Sequence, residues 1–213
     1  MEYRPGDVLR ISCPFTPATV SGVDRWDVSL RWPWWRVDPD SVGVRWNGEV
    51  ALARNDPREL YATEPPARDL RPGDACRVGI PPRVVHVVEV DEYDADRETG
   101  YLPRPTRSLL VLPAGVAADP TLEFQGTSVD LDDGIPLVLE LLFRPFAYLT
   151  PGDDVADAAG RAWRFDGPWT WTAYDGGDGV PVWPLTRLVE GAQPVPGSRE
   201  VELTQWLTAA GFA

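Results

Sequence analysis

The sequence has 213 residues, 43% of them hydrophobic and 25% charged, and a formal net charge of −13. This balance fits a globular chain of roughly one to three compact domains. No run approaches the ~20 apolar residues of a membrane span, and Met1-Glu2-Tyr3-Arg4-Pro5 lacks the apolar core of a secretory signal. The acidic balance repels phosphate backbones, so nucleic acid is not an expected partner.

Two cysteines, Cys13 and Cys76, make no disulfide framework, and a cytoplasmic location is expected. All 20 basic residues are arginine. GC-biased coding explains this, along with the richness in Pro, Gly, Ala, Val and Asp.

In chain order, Arg4-Pro5-Gly6-Asp7 opens the first structured stretch. Pro presets φ at the first corner of a turn and Gly accepts positive φ at the second. Leu9, Ile11 and Cys13 then alternate with Arg10 and Ser12, which predicts a half-buried strand. Trp26, Val28, Leu30 and Trp32 alternate in the same way. Val42, Val44 and Trp46 lead into Asn47-Gly48, followed by Glu49 to Leu52. This spacing predicts a two-residue type I′ hairpin joining 42–46 to 49–53. Residues 54–70, rich in Pro and charge, read as a linker.

A second Pro-Gly-Asp at 72–74 opens the next stretch, with Val84 to Val90 as its long strand. Residues 91–108 read as a polar excursion, and Leu109 to Leu112 as a buried strand ended by Pro113. Ile135 to Tyr148 reads as one or two central strands interrupted near Pro145. The third Pro-Gly-Asp, at 151–153, precedes a tight hairpin between Val155 and Phe165. An Asp-Gly-rich loop, 175–179, then leads into an extended segment, Val180 to Leu188. Ser198 is placed to cap a final helix, with Leu203, Trp206, Leu207 and Ala210 on one face and Gly211 at its end.

The first two stretches match further. Residues 4–27 align with 71–94 without a gap. Arg4, Pro5, Gly6, Asp7, Arg10, Pro14, Val20, Val23, Asp24 and Asp27 meet Arg71, Pro72, Gly73, Asp74, Arg77, Pro81, Val87, Val90, Asp91 and Asp94. We read an internal duplication, with a shorter third copy. The repeated turn–strand–loop–strand unit resembles small SH3-like barrels, including the KOW-type hairpin. The whole sequence resembles acidic proteins of high-GC actinobacteria, a likeness that brings no activity with it. The expected fold is mainly β: tandem SH3-like units at 1–62, 63–149 and 150–196, then a C-terminal helix at 197–213.

The chemistry-bearing residues form no recognisable catalytic motif. His86, the lone histidine, alternates with Val84 and Val88 on a sheet face, and Cys76 falls in step with Val78 and Ile80. A Cys76–His86 nucleophile pair is therefore the lesser reading, and the usual zinc spacings are absent. Asp130, Asp132 and Asp133, or Asp175 and Asp178, are candidate hard-cation ligands, but turn chemistry explains both loops better. No metal or other cofactor is expected.

Tryptophan is the strongest functional signal, with ten copies concentrated at 26–46 and 163–183. Trp32, Trp34 and Trp35 surround Pro33, and an extended strand cannot turn all three rings inward. With Arg31 and Arg36 at its rim, this cluster is the candidate partner-binding surface, on an edge strand or bulge where Pro is tolerated. The alternative is that the rings fill a core or join barrels.

The expected function is therefore a non-enzymatic protein-binding or adaptor protein with an unidentified protein partner. It could act as an inhibitor or immunity-type protein covering a basic effector, or as a component of an injection-type assembly. The alternative is a carboxylate-dependent enzyme acting on a small substrate.

Overall fold

The computed structural model describes residues 2–56, 59–93, 98–114, 116, 125–168, 170–189 and 193–199. The protein is mainly β. A curled antiparallel sheet forms a half-barrel. It contains β1 (Val8–Val23), β2 (Asp27–Arg31), β4 (Glu49–Ala53), β5 (Ala62–Glu64), β6 (Ala75–Glu92), β8 (Arg107–Pro113), β9 (Thr127–Asp130) and β10 (Val138–Phe143). Short β3 (Arg36–Val37) and β7 (Tyr101–Leu102) pair beside it. A second sheet holds β11 (Asp154–Ala156), β12 (Ala162–Gly167), β13 (Thr170–Ala173), β14 (Thr186–Val189) and β15 (Gln193–Arg199). Among the described residues the helical structure is one 3-10 turn, Ala67–Asp69.

The strand order of the main sheet is β4-β2-β1-β6-β8-β9, with β10 also on β1 and β5 also on β6. This order is a palindrome, and the register is one too. Under the offset that carries residue 4 onto 71, the pair Val8–His86 maps onto Thr19–Ala75, Leu9–Val85 onto Ala18–Cys76, and Cys13–Ile80 onto itself. The bulge at Val20/Gly22 corresponds to that at Val87/Glu89. Arg10 meets Glu140 at 2.6 Å, and its counterpart Arg77 meets Glu64 at 3.3 Å.

The Pro-Gly-Asp turns explain how this pattern closes. Gly6, Gly73 and Gly152 have φ of 90°, 90° and 98°, which a residue with a Cβ adopts only under strain. In each turn the Asp carboxylate accepts the backbone N–H three residues back: Arg4 to Asp7 at 3.0 Å, Arg71 to Asp74 at 2.8 Å, and Thr150 to Asp153 at 2.8 Å. Gly6 then donates to Val87 and Val87 donates to Asp7, while Gly73 donates to Val20 and Val20 donates to Asp74. The first turn thus docks on the second stretch and the second turn on the first. The third turn docks on its own hairpin, through Gly152 to Phe165 and Phe165 to Asp153. The halves of β1 and β6 are therefore exchanged between the two stretches, whereas β11 and β12 fold back on each other.

Two apolar clusters follow. Alternation along β1 buries Leu9 and Ile11 and exposes Arg10; with Val28, Leu30, Val78 and Val87 they form the main core. The second cluster holds Leu149, Val155, Trp163, Phe165 and Leu185.

The β11–β12 hairpin lies where the sequence placed it, with Val155 opposite Trp163. Asp157 in its turn accepts the N–H groups of Ala159 and Arg161 and the indole N–H of buried Trp163. The hairpin expected at Asn47-Gly48 is not formed. Residues 42–46 are not a strand, and β4 pairs with β2, Leu30 facing Val50. Gly48 does take a φ of 88°, but the Asn47 side chain caps the Glu49 N–H at 3.1 Å in an Asx turn. The expected C-terminal helix is not shown: residues 197–199, including Ser198, belong to β15, and the remainder lies outside the described residues. Ile135 to Tyr148 contributes one strand, β10, which among the described residues pairs with β1.

Candidate functional site

The chain leaves β2 at Trp32 and bends at Pro33-Trp34 instead of continuing as an edge strand. The bend lets rings converge that an extended backbone would separate. Trp32 is 5% exposed and lies against Trp34, Trp35 and Tyr61 at ring separations of 4.9, 5.6 and 5.1 Å. Trp35 stacks on Tyr101 at 3.9 Å and 3°. Trp46 meets both rings edge-on at 5.7 Å. Trp34 and Trp35 are half-buried against the main core, while Arg31 and Arg36 are exposed. The structure thus gathers the three tryptophans but covers them with Tyr61, Tyr101 and Trp46 of the same chain. Tyr61 and Tyr101 carried no signal in the sequence.

Beneath this layer lies Asp133, 1% exposed. One carboxylate oxygen accepts the Trp35 indole N–H at 3.1 Å and the other accepts the Ile135 N–H at 3.0 Å. Burial pushes its pKa up to about 6, and the charges of Asp130 and Asp132 add to the rise. Burial also pushes the Cys13 thiol up to about 11 and lowers His86 to about 4. Burial raises the Cys76 thiol as well, so in the Cys76–His86 pair considered from the sequence the thiol is held away from the thiolate and the imidazole away from its charged form. Asp130 accepts the Tyr101 hydroxyl, and Asp132 accepts both the N–H and the hydroxyl of Thr106. Among the described residues no group of three or more His, Cys, Asp or Glu is placed to hold a metal ion.

On this aromatic base stands the loop 36–46. Asp38, buried, takes the Arg104 guanidinium through Nε at 2.8 Å and Nη2 at 2.6 Å and also caps Asp40. Arg104 holds its carboxyl below the usual range. Glu98 accepts the N–H groups of Val42 and Gly43 at 2.8 and 3.0 Å, which lowers its own pKa. Gly100 lets the neighbouring segment approach: a Cβ there would lie 2.7 Å from the Val44 carbonyl oxygen, at a φ of +77°. The Trp46 indole donates to the Glu49 carbonyl at 2.8 Å. A loop fixed this firmly nevertheless presents Val37, Val42 and Val44 to solvent, Val42 at 95% exposure. Arg36, Asp38, Asp40 and Arg104 line a shallow depression at its side. The alternation of valines that suggested a strand in the sequence is instead an exposed apolar tip.

No helix among the described residues is long and apolar enough to cross a membrane. No family model matches the chain, and no curated protein or solved structure matches it.

Proposed function

We propose that this chain is a non-enzymatic binding protein built of SH3-like units, and that it engages a protein partner through loop 36–46. The SH3-like reading is supported by a recurring strand neighbourhood. The order β10, first half of β1, second half of β6, β8, β9 is repeated by β5, first half of β6, second half of β1, β2, β4. It is repeated in shorter form by β14, β11, β12, β13.

The observation that carries the binding reading is a pre-organised loop with exposed valines. Apolar side chains on a rigid loop lose little entropy on binding and gain from desolvation. The partner's contact surface is apolar, with a recess for Val42, and the net charge of −13 favours a basic protein at long range. The Trp32, Trp34 and Trp35 rings support the loop, and Arg31 and Arg36 flank it.

Val42→Asp tests this directly. Its side chain touches little, so the melting temperature should stay unchanged while co-purification of a stable partner under native conditions is lost. Retention of the partner by the variant, or recovery of the wild type only as a bare monomer, would sink the reading.

The alternative, a carboxylate-dependent enzyme, would draw on Asp133, but that carboxylate is 1% exposed and already accepts the Trp35 and Ile135 N–H groups, so the aromatic layer would have to open before it met a substrate. It requires that Asp133→Asn abolish a turnover that Val42→Asp leaves intact.

A further inference from the structure

The seam between the two sheets contains a cavity of about 420 Å³. Ligand sites run to roughly 300–1,000 Å³ and favour such seams. One wall is the first Pro-Gly-Asp turn with Val88 of β6, and the other is the 145–151 connection with the end of β12. The lining is largely apolar. The Phe146 and Phe165 rings lie 5.4 Å apart, tilted by 35°, and Pro5, Pro145 and Pro168 complete the surface.

The polar groups around this lining are unequally engaged. Its carboxylates are engaged. Asp166 receives Arg164 Nε and Thr172 Oγ1, each at 2.6 Å. Asp7, fully buried, receives Arg144 Nε at 2.6 Å, Arg144 Nη2 at 2.7 Å and the Arg4 N–H at 3.0 Å. Donors remain. Arg144 also gives Nη2 to the Glu2 carbonyl, but among the described residues its Nη1 makes no hydrogen bond. Among the described residues the Arg4 guanidinium reaches only Glu2, at 3.5 Å and in solvent. Asp7 clamps the Arg144 guanidinium side-on and thereby fixes where its remaining edge points. Asp153, an equivalent of Asp7, receives Arg187 through Nη2 at 2.9 Å, and among the described residues no bidentate guanidinium sits on Asp74.

We propose that this cavity binds a small organic anion with a flat apolar body. The acid group is held by Arg144 Nη1 and Arg4, and the body lies against Phe146 and Phe165. The site is separate from loop 36–46 and stands whether or not that loop binds a protein.

The test is fluorescence titration of the full chain with anilinonaphthalene sulfonate, an aromatic anion, against uncharged N-phenylnaphthylamine. Gly167 lines the cavity, and a Cβ there meets no atom within 4 Å, so Gly167→Leu fills the space without backbone strain. Saturable one-to-one binding is expected. It should weaken about tenfold in Arg4→Ala, weaken about tenfold again for the uncharged dye, and vanish in Gly167→Leu. In parallel, amide chemical shifts of the wild type should move on adding the sulfonate at Gly6, Gly167 and Thr170. Equal binding by a folded Gly167→Leu, equal binding of the uncharged dye, or no saturable binding overturns the proposal. Should Gly167→Leu fail to fold, the shift map decides, and unmoved amides at those three residues overturn it.

Discussion

Gly6 faces the ring of Pro168 across the seam between the sheets: a Cβ on Gly6 would lie 2.7 Å from Pro168 Cγ. Gly73 has the same φ of +90° and occupies the same turn, yet nothing lies within 4 Å of its missing Cβ. The pair separates backbone strain from packing. Gly73→Ala should cost about 1–2 kcal/mol, the strain of an L-residue at positive φ. Gly6→Ala should cost more, because Pro168 must also shift. Denaturant unfolding of the two variants measures the difference, and equal losses would mean that the seam is loose.

Trp35 joins stacking on Tyr101 to a hydrogen bond with a buried carboxylate. Trp35→Ala should destabilise by about 3 kcal/mol, the lower end of the range for a large aromatic because the ring is only half-buried. Trp35→Phe keeps a ring but strands one oxygen of Asp133, and should cost about 1–3 kcal/mol. Thermal unfolding checks both, and a neutral Trp35→Ala would return the cluster to the status of a free surface.

Asp133 sets a pH dependence of definite sign. Its folded pKa is raised from 3.8 to about 6, so the folded state holds the proton more tightly than the unfolded one. The contribution is fully present below about pH 4 and is lost as pH rises to about 6. Carboxylates with lowered values, among them Asp38 and Glu98, pull the other way. The difference between wild type and Asp133→Asn isolates this contribution: melting temperatures measured across this window should move in the variant's favour as pH rises. A constant difference would show that Asp133 is not buried as described.

Glu98 clamps the loop without belonging to any core. Glu98→Ala should leave global stability within about 0.5 kcal/mol, while exchange of the Val42 and Gly43 amides quickens by about tenfold. Unaltered exchange would mean that the loop is fixed by Asp38 and Gly100 alone.

The turns were legible because Pro and Gly impose φ locally, and the β11–β12 hairpin because Ala158-Ala159-Gly160 supplies a place to reverse. The exchange between β1 and β6 was not legible from local pattern. Where the third stretch has Gly160, the first two have Pro14 and Pro81 and run straight on, so each strand finds its neighbour in the other copy. The pairing Thr19–Ala75 is a global fact, and only the loss of a turn signal hints at it. The convergence of the tryptophans was not legible, because an extended backbone through Pro33 would separate the rings and the bend there is what turns them together. Asp133 went unnoticed as a buried group because its donors, Trp35 and Ile135, are fixed by the fold and not by spacing.

The exchanged strands also order events in time. Arg10 on β1 finds Glu140 across 130 positions of sequence, and the first turn has no docking site until Val87 has been made. During synthesis the first half of β1 must therefore stay unpaired, with Leu9 and Ile11 uncovered, until the second stretch arrives, whereas β2 and β4 can already pair with each other. The β11–β12 hairpin, the last of the three to be synthesised, closes on itself without waiting. The first half of β1 thus waits for its partner, the second half of β6, and during that interval it is exposed to chaperones and to strands of neighbouring nascent copies.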